Sequence, residues 1–204
     1  VQNTIGVQAV HPVPLDILSG QIDAVLSDIG ADAIKIGMLH SSDVVNLVAD
    51  KIEQYNIRNV VLDPVMVSTS GHRLIEESAI NTLIDRLLPL SRIITPNIPE
   101  AEILSGVKIE SEENFDKVAL QLSNNRSISV FLKAGHLSGE LLVDYFYNAE
   151  LDEIIKLESK RVKTKNTHGT GCTLSSALAA ALAKGEDLSS AARSAKYYIE
   201  QAII

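Results

Sequence analysis

The chain contains a single cysteine, Cys172, within the stretch "NTHGTGCTLSSALAAALAKG". Gly169 and Gly171 bracket Thr170, and glycines at such places let several backbone N–H groups converge. An alanine-rich helix over 172–184 follows, and its N-terminus adds the positive end of a helix dipole. Residues 169–171 therefore predict an anion hole suited to a phosphoryl group. A helix start also favours an anionic thiolate, so Cys172 is placed to accept a proton from a substrate hydroxyl. No Gly-Lys-Ser/Thr follows, so this is not a Walker loop. Taken alone the stretch reads first as a tight turn followed by a buried structural cysteine.

Three further loops carry candidate chemistry. In "TPNIPEAE", Asn97 and Glu100 stand three apart at a helix entry. They can supply oxygens to Mg²⁺, directly or through water, with Glu102 as a third candidate. The same spacing fits a helix-capping arrangement. In "LDPVMVSTSGHRL", Asp63 ends an apolar run just before Pro64. There it holds metal-bound water or orients phosphates, unless it serves only an Asp-Pro turn. In "FLKAGHL", Lys133 leaves a strand into Ala134 and Gly135, as a nucleotide-phosphate contact or a solvated lysine. The five histidines show no metal-ligand spacing, and only His168 falls inside one of these loops.

The elements that must position these loops alternate. Helical spacing predicts helices over 15–29, 44–55, 76–88, 99–105, 112–124, 172–184 and 188–203. Short apolar runs predict strands at 33–39, 59–65, 92–97 and 128–133, with a hairpin pair near 141–147 and 153–158. Strands alternating with helices predict an α/β fold with a central, mostly parallel sheet flanked by helices, in one domain over 1–204. In such sheets ligands bind beyond the carboxyl ends of the strands, which is where all the loops above fall.

The 204 residues are 46% hydrophobic and 22% charged, enough for a real core. The net charge of −8 argues against nucleic-acid or anionic-membrane partners. One cysteine excludes an internal disulfide and fits a reducing cytoplasm. No apolar run approaches the ~20 residues needed to span a bilayer.

The segments "GVQAVHPVP", "QIDAVLSDIGADAIKIGML", "VVLDPVMVSTSGHRL", "LLPLSRIITPNIPEAEILSG" and "KTKNTHGTGCTLSSALAAALAKG" occur together and in order. As a set the chain closely resembles the hydroxymethylpyrimidine/phosphomethylpyrimidine kinases of thiamine biosynthesis, in the ribokinase-like superfamily, essentially from Val1 to Ile204. The resemblance implies transfer of the γ-phosphate of ATP, with Mg²⁺, to 4-amino-5-hydroxymethyl-2-methylpyrimidine and then to its monophosphate. It implies that Gln2 hydrogen-bonds the aminopyrimidine, that Met38 packs on the ring, and that Val65 lies nearby. It places Asn97, Lys133, Thr167 and His168 by the nucleotide and Glu100 and Asp63 by the metal. It makes Gly169, Thr170 and Gly171 the anion hole, with Cys172 where ribokinases carry an aspartate base. A homodimer is expected on the same ground.

Two departures accompany the resemblance. Ala134 stands where the family usually has glycine, which shifts the expected nucleotide contacts. The strand and glycine-rich loop that precede "QNT" in the family are not in the sequence, so weak substrate binding or inactivity is expected of these residues alone. A pyridoxal kinase of the same branch and a non-catalytic binding protein are the alternative readings.

Overall fold

The structure is a computed structural model. It describes the chain except residues 2, 4–5, 7, 67–73, 125–126, 134–139, 163, 165–166 and 204. Gln2, Ala134, Gly135 and His136 thus lie outside the described residues. In chain order the elements are α1 (Leu15–Asp28), β1 (Ile34–Ile36), α2 (Ser42–Gln54), β2 (Val60–Leu62), α3 (Glu77–Thr82), β3 (Ile93–Ile94) and α4 (Ile98–Ser105). They continue with α5 (Phe115–Leu122), β4 (Ser129–Leu132), β5 (Leu141–Asn148), β6 (Glu153–Lys160), α6 (Thr170–Ala183) and α7 (Leu188–Ile203).

The six strands form one sheet in sequential order. β1 to β4 run parallel, and β5 and β6 add an antiparallel hairpin. Alternation along each strand divides the core in two. Val60, Leu62, Ile94, Val130, Leu132 and Tyr145 face α2 to α5. Val61, Ile93, Phe131, Phe146 and Leu157 face the α6–α7 pair. Small buried residues, among them Ala179, Ala191, Ala192 and Ala195, let these two helices lie close on the sheet. A buried pair, Lys196 Nζ to Asp144 Oδ2 at 2.7 Å, ties α7 to β5.

The local signals act where residue chemistry requires. Ser41 caps α2, its hydroxyl accepting from Val44 N at 3.5 Å. Gly106 ends α4 with φ +68, a conformation that favours glycine. The helix expected over 76–88 is present as α3, a π-helical turn (Leu83–Leu87) and a 3₁₀ turn (Leu88–Leu90) that contains Pro89. α1 forms as its spacing predicts, yet none of its residues is buried. Polar contacts tie it to α2, with Lys51 Nζ 2.6 Å from Asp23 Oδ1 and Tyr55 Oη donating to the same oxygen at 2.9 Å.

Candidate active site

The parallel ladder continues one residue past the strands. Asp63 N donates to Ile36 O, Thr95 N to Leu62 O, and Lys133 N to Pro96 O, each at 2.9 Å. Asp63 and Thr95 therefore stand side by side at the carboxyl rim, and Lys133, in register with Asn97, lies two residues further along. Each follows a residue that faces α2 to α5 (Leu62, Ile94, Leu132), so the pleat turns all three toward α6. Lys35, paired in register with Val61, points the same way.

These side chains close on Asp63, which is 1% exposed. Its Oδ1 accepts from Lys133 Nζ at 2.8 Å and from Thr95 Oγ1 at 3.2 Å. Its Oδ2 lies 3.7 Å from Lys35 Nζ and 3.2 Å from Ser175 Oγ. Burial raises the Asp63 pKa, but the charge and hydrogen bond of Lys133, the charge of Lys35 and the Thr95 hydroxyl outweigh it, and the net direction is down. Ser175 also lies 3.0 Å from the carbonyl of Gly171 and 3.1 Å from that of Cys172. Asp63 thus anchors the start of α6 to the end of β2.

α6 begins at Thr170, two residues earlier than its apolar pattern predicts, with Gly169 as its N-cap at φ +83. Gly169, Thr170 and Gly171 are therefore the cap and first turn, rather than a loop ahead of the helix. No side chain caps this end, and among the described residues the amides of Gly171 and Cys172 have no acceptor. Such first-turn N–H groups are ready donors for an anion. A Cβ on Gly171 would lie 3.1 Å from Lys133 Nζ, so the missing side chain admits the ammonium to the helix start. Cys172 is exposed, one residue beyond. That disposes of a buried structural cysteine. Thr167 and His168 lie exposed in the turn before α6, where Thr170 Oγ1 donates to Thr167 O at 2.9 Å.

At Gly169 a Cβ would meet nothing, so the constraint is conformational. Gly169→Ala is expected to cost about 1–2 kcal/mol for its left-handed backbone, read by chemical denaturation. An unchanged midpoint would contradict the assigned N-cap geometry.

Asn97 and Glu100 form a reciprocal capping box on α4. Asn97 Oδ1 accepts from Glu100 N at 2.9 Å, and Glu100 Oε2 accepts from Asn97 N at 2.8 Å. Capping and ligand binding remain compatible, because Glu100 carries a second oxygen and lies close enough to Lys133 and Asp63 to feel both charges. Burial, foremost, and Asp63 raise its pKa against the opposing pull of Lys133 and the N–H groups of Asn97 and Met66. Among the described residues no group of three or more His, Cys, Asp or Glu side chains could hold a metal ion. Mg²⁺ usually takes one or two carboxylates and completes its shell with water and substrate phosphates. Glu102 faces elsewhere: it accepts from Ile109 N at 2.8 Å and Lys108 Nζ at 3.0 Å, so it is not a third ligand. Met38 is 42% exposed in the segment after β1, and Val65 is half-buried, its N–H donating to Asp63 O at 2.8 Å.

Lys35, Thr95 and Ser175 were not singled out by their sequence context. The signal for Lys35 was a lone charge inside the apolar run "AIKIG". Thr95 and Ser175 join the cluster only through sheet register and helix phase.

The family model for phosphomethylpyrimidine kinase matches residues 1–204. The chain belongs to that family. Over 99% of its length it is 42% identical to a hydroxymethylpyrimidine/phosphomethylpyrimidine kinase of Rhizobium meliloti, of which it covers 75%. It is 44% identical to a bifunctional thiamine biosynthesis protein of Geobacter sulfurreducens, of which it covers 41%. Among solved structures, a phosphomethylpyrimidine kinase of Clostridium difficile superposes with a TM-score of 0.83 at 38% identity, covering all of this chain and 82% of that one. A Staphylococcus aureus pyridoxal kinase in complex with pyridoxal gives 0.87 at 32% identity, covering all of this chain and 72% of that one. The sequential sheet with its antiparallel hairpin is thus the ribokinase-like arrangement of these vitamin kinases. Among the described residues no helix is long and apolar enough to cross a membrane.

Proposed function

We propose that the protein phosphorylates 4-amino-5-hydroxymethyl-2-methylpyrimidine, and then its monophosphate, using ATP and Mg²⁺. One observation carries the reading: a helix start without a side-chain cap, whose Gly171 and Cys172 amides have no acceptor among the described residues, adjoins Lys133 at the strand rim, with an exposed thiol in its first turn. Phosphoryl transfer needs positioning and charge stabilisation above all, and this arrangement offers both. The first-turn amides and Lys133 receive the charge of the migrating phosphoryl group. Cys172, as thiolate, takes the proton of the acceptor hydroxyl while that oxygen bonds to the γ-phosphorus and ADP departs. Mg²⁺ would be held by Glu100, directly or through water, and would neutralise phosphate charge. The oxygens of Asp63 are engaged by protein donors, so its part is to hold Lys133, Lys35 and α6, and to meet metal-bound water at most. By family resemblance Gln2 would read the aminopyrimidine edge, Met38 and Val65 would flank the ring, and Asn97, Thr167 and His168 would lie by the nucleotide. A cytoplasmic location and a homodimer belong to the same proposal, supported by the lone cysteine and by family membership.

Pyridoxal is the competing acceptor, favoured by the superposition on the S. aureus enzyme. ADP release by the full-length protein with each acceptor decides between them. The proposal expects a higher kcat/KM for the pyrimidine, and a preference for pyridoxal would overturn it.

Glu100→Gln should keep the capping box, since glutamine serves at that position. It removes a buried charge, so thermal stability should hold or rise. The Mg²⁺ needed for half-maximal rate should increase about 10- to 100-fold, the scale seen when a metal's supporting ligands are lost. A Mg²⁺ titration showing no change would exclude Glu100 from the metal site.

A further inference from the structure

Asp63 joins two ammonium groups, and they are not equivalent. Lys133 makes a short hydrogen bond at 2.8 Å, whereas Lys35 stands at 3.7 Å, beyond hydrogen-bond length. The Lys35 side chain is only 19% exposed, and Asp63 is its only ion-pair partner among the described residues. Among the described residues no hydrogen-bond acceptor reaches it, and a largely buried ammonium so placed is costly, which points to an anionic ligand that completes it. The two cations also face different loops. Lys133 Nζ lies against Gly171 at the start of α6, while a Cβ on Gly37 would come within 2.9 Å of Lys35 Nζ. Gly37 immediately precedes Met38, the residue assigned to the acceptor ring. One cation therefore serves the side of the migrating phosphoryl group, and the other serves the acceptor side, one carboxylate away.

An enzyme that phosphorylates one molecule twice meets a different acceptor each time. In the first turnover the acceptor is a neutral alcohol; in the second it is a phosphate monoester dianion. We propose that Lys35 binds the phosphate of the monophosphorylated acceptor, and so acts in the second phosphorylation and not in the first. This rests on the kinase reading above. Gly37 is part of the device, since any side chain there would push the ammonium off the acceptor.

The test uses full-length protein carrying Lys35→Met, with Lys35→Gln as a second variant should the first fail to fold. Steady-state rates are measured separately with the hydroxymethylpyrimidine and with its monophosphate, and monophosphate binding is measured by calorimetry without ATP. Loss of one charge-assisted phosphate contact predicts a fall of about 10- to 100-fold in kcat/KM and in affinity for the monophosphate. The alcohol should change less than about threefold, the level of an indirect effect. Equal losses on both acceptors, or no loss of monophosphate affinity, would overturn the proposal. The kinase reading fails by a different sign, namely no turnover of either acceptor by the unaltered protein.

Discussion

Cys172→Ala should lower kcat by about 10²–10⁴-fold, the usual contribution of a positioned general base, while leaving the protein folded. The thiol is exposed, and α6 is anchored through Ser175, Leu174 and Leu178 rather than through Cys172. Alanine is the better helix former, and exposed substitutions away from special contacts usually stay within about 0.5 kcal/mol. The thermal midpoint should therefore hold, and the KM for ATP should change little, because amides and Lys133 still receive the phosphates. Parallel initial-rate and melting measurements check this. Unchanged turnover would remove Cys172 as the base. A large loss of stability would show that its role is structural.

Asp63→Ala should do the reverse and strike stability first. It leaves two largely buried lysines without their carboxylate, takes the acceptor from the Thr95 hydroxyl and leaves Ser175 only the carbonyls of Gly171 and Cys172. Breaking one side of a buried ion pair costs about 3–5 kcal/mol, a large part of the 5–15 kcal/mol that holds a typical domain together. Activity should fall as well, since α6 loses its tie to β2. The unaltered protein offers a matching pH signature. The folded pKa of Asp63 is lowered, so its contribution is full above the ordinary carboxylate value of about 3.9. It is lost as pH falls further, through the lowered folded value. Glu100 works in the opposite direction. Its folded pKa is raised, so its contribution is greatest below the ordinary value and is lost as pH rises through the folded one. Acid unfolding followed by circular dichroism should show Asp63→Ala less stable than the unaltered chain near pH 6, with the gap closing toward pH 2. A constant gap would contradict the linkage.

Much of this arrangement is legible in the chain because local physics writes it there. Helix spacing places α2, α5 and α7 nearly as observed, and apolar runs mark β1 to β4, although β1, β2 and β3 are shorter than the runs that announce them. The rim loops were legible too, because ligands gather where parallel strands end. The start of α6 was misplaced by two residues, since a left-handed glycine cap carries no side-chain signal. The partnership of Asp63 with Lys35, Thr95 and Ser175 was invisible for a different reason. It depends on which residue of each strand lies beside which, and on the phase at which α6 crosses them. Sequence separations of 28, 32 and 112 residues lie far beyond any local pattern. Asn97 and Glu100 show the remaining ambiguity: their spacing suits both a cap and a metal ligand, and the structure builds the cap.

The central claim is that the bare first turn of α6 gathers the migrating phosphate beside Cys172. A crystal structure of the full-length protein with a non-hydrolysable ATP analogue, Mg²⁺ and the pyrimidine tests it most directly. The account predicts γ-phosphate oxygens hydrogen-bonded to the amides of Gly171 and Cys172 and to Lys133 Nζ, with the acceptor hydroxyl facing Cys172 Sγ. A γ-phosphate seated away from this helix start, or a hydroxyl out of reach of the sulfur, would contradict it.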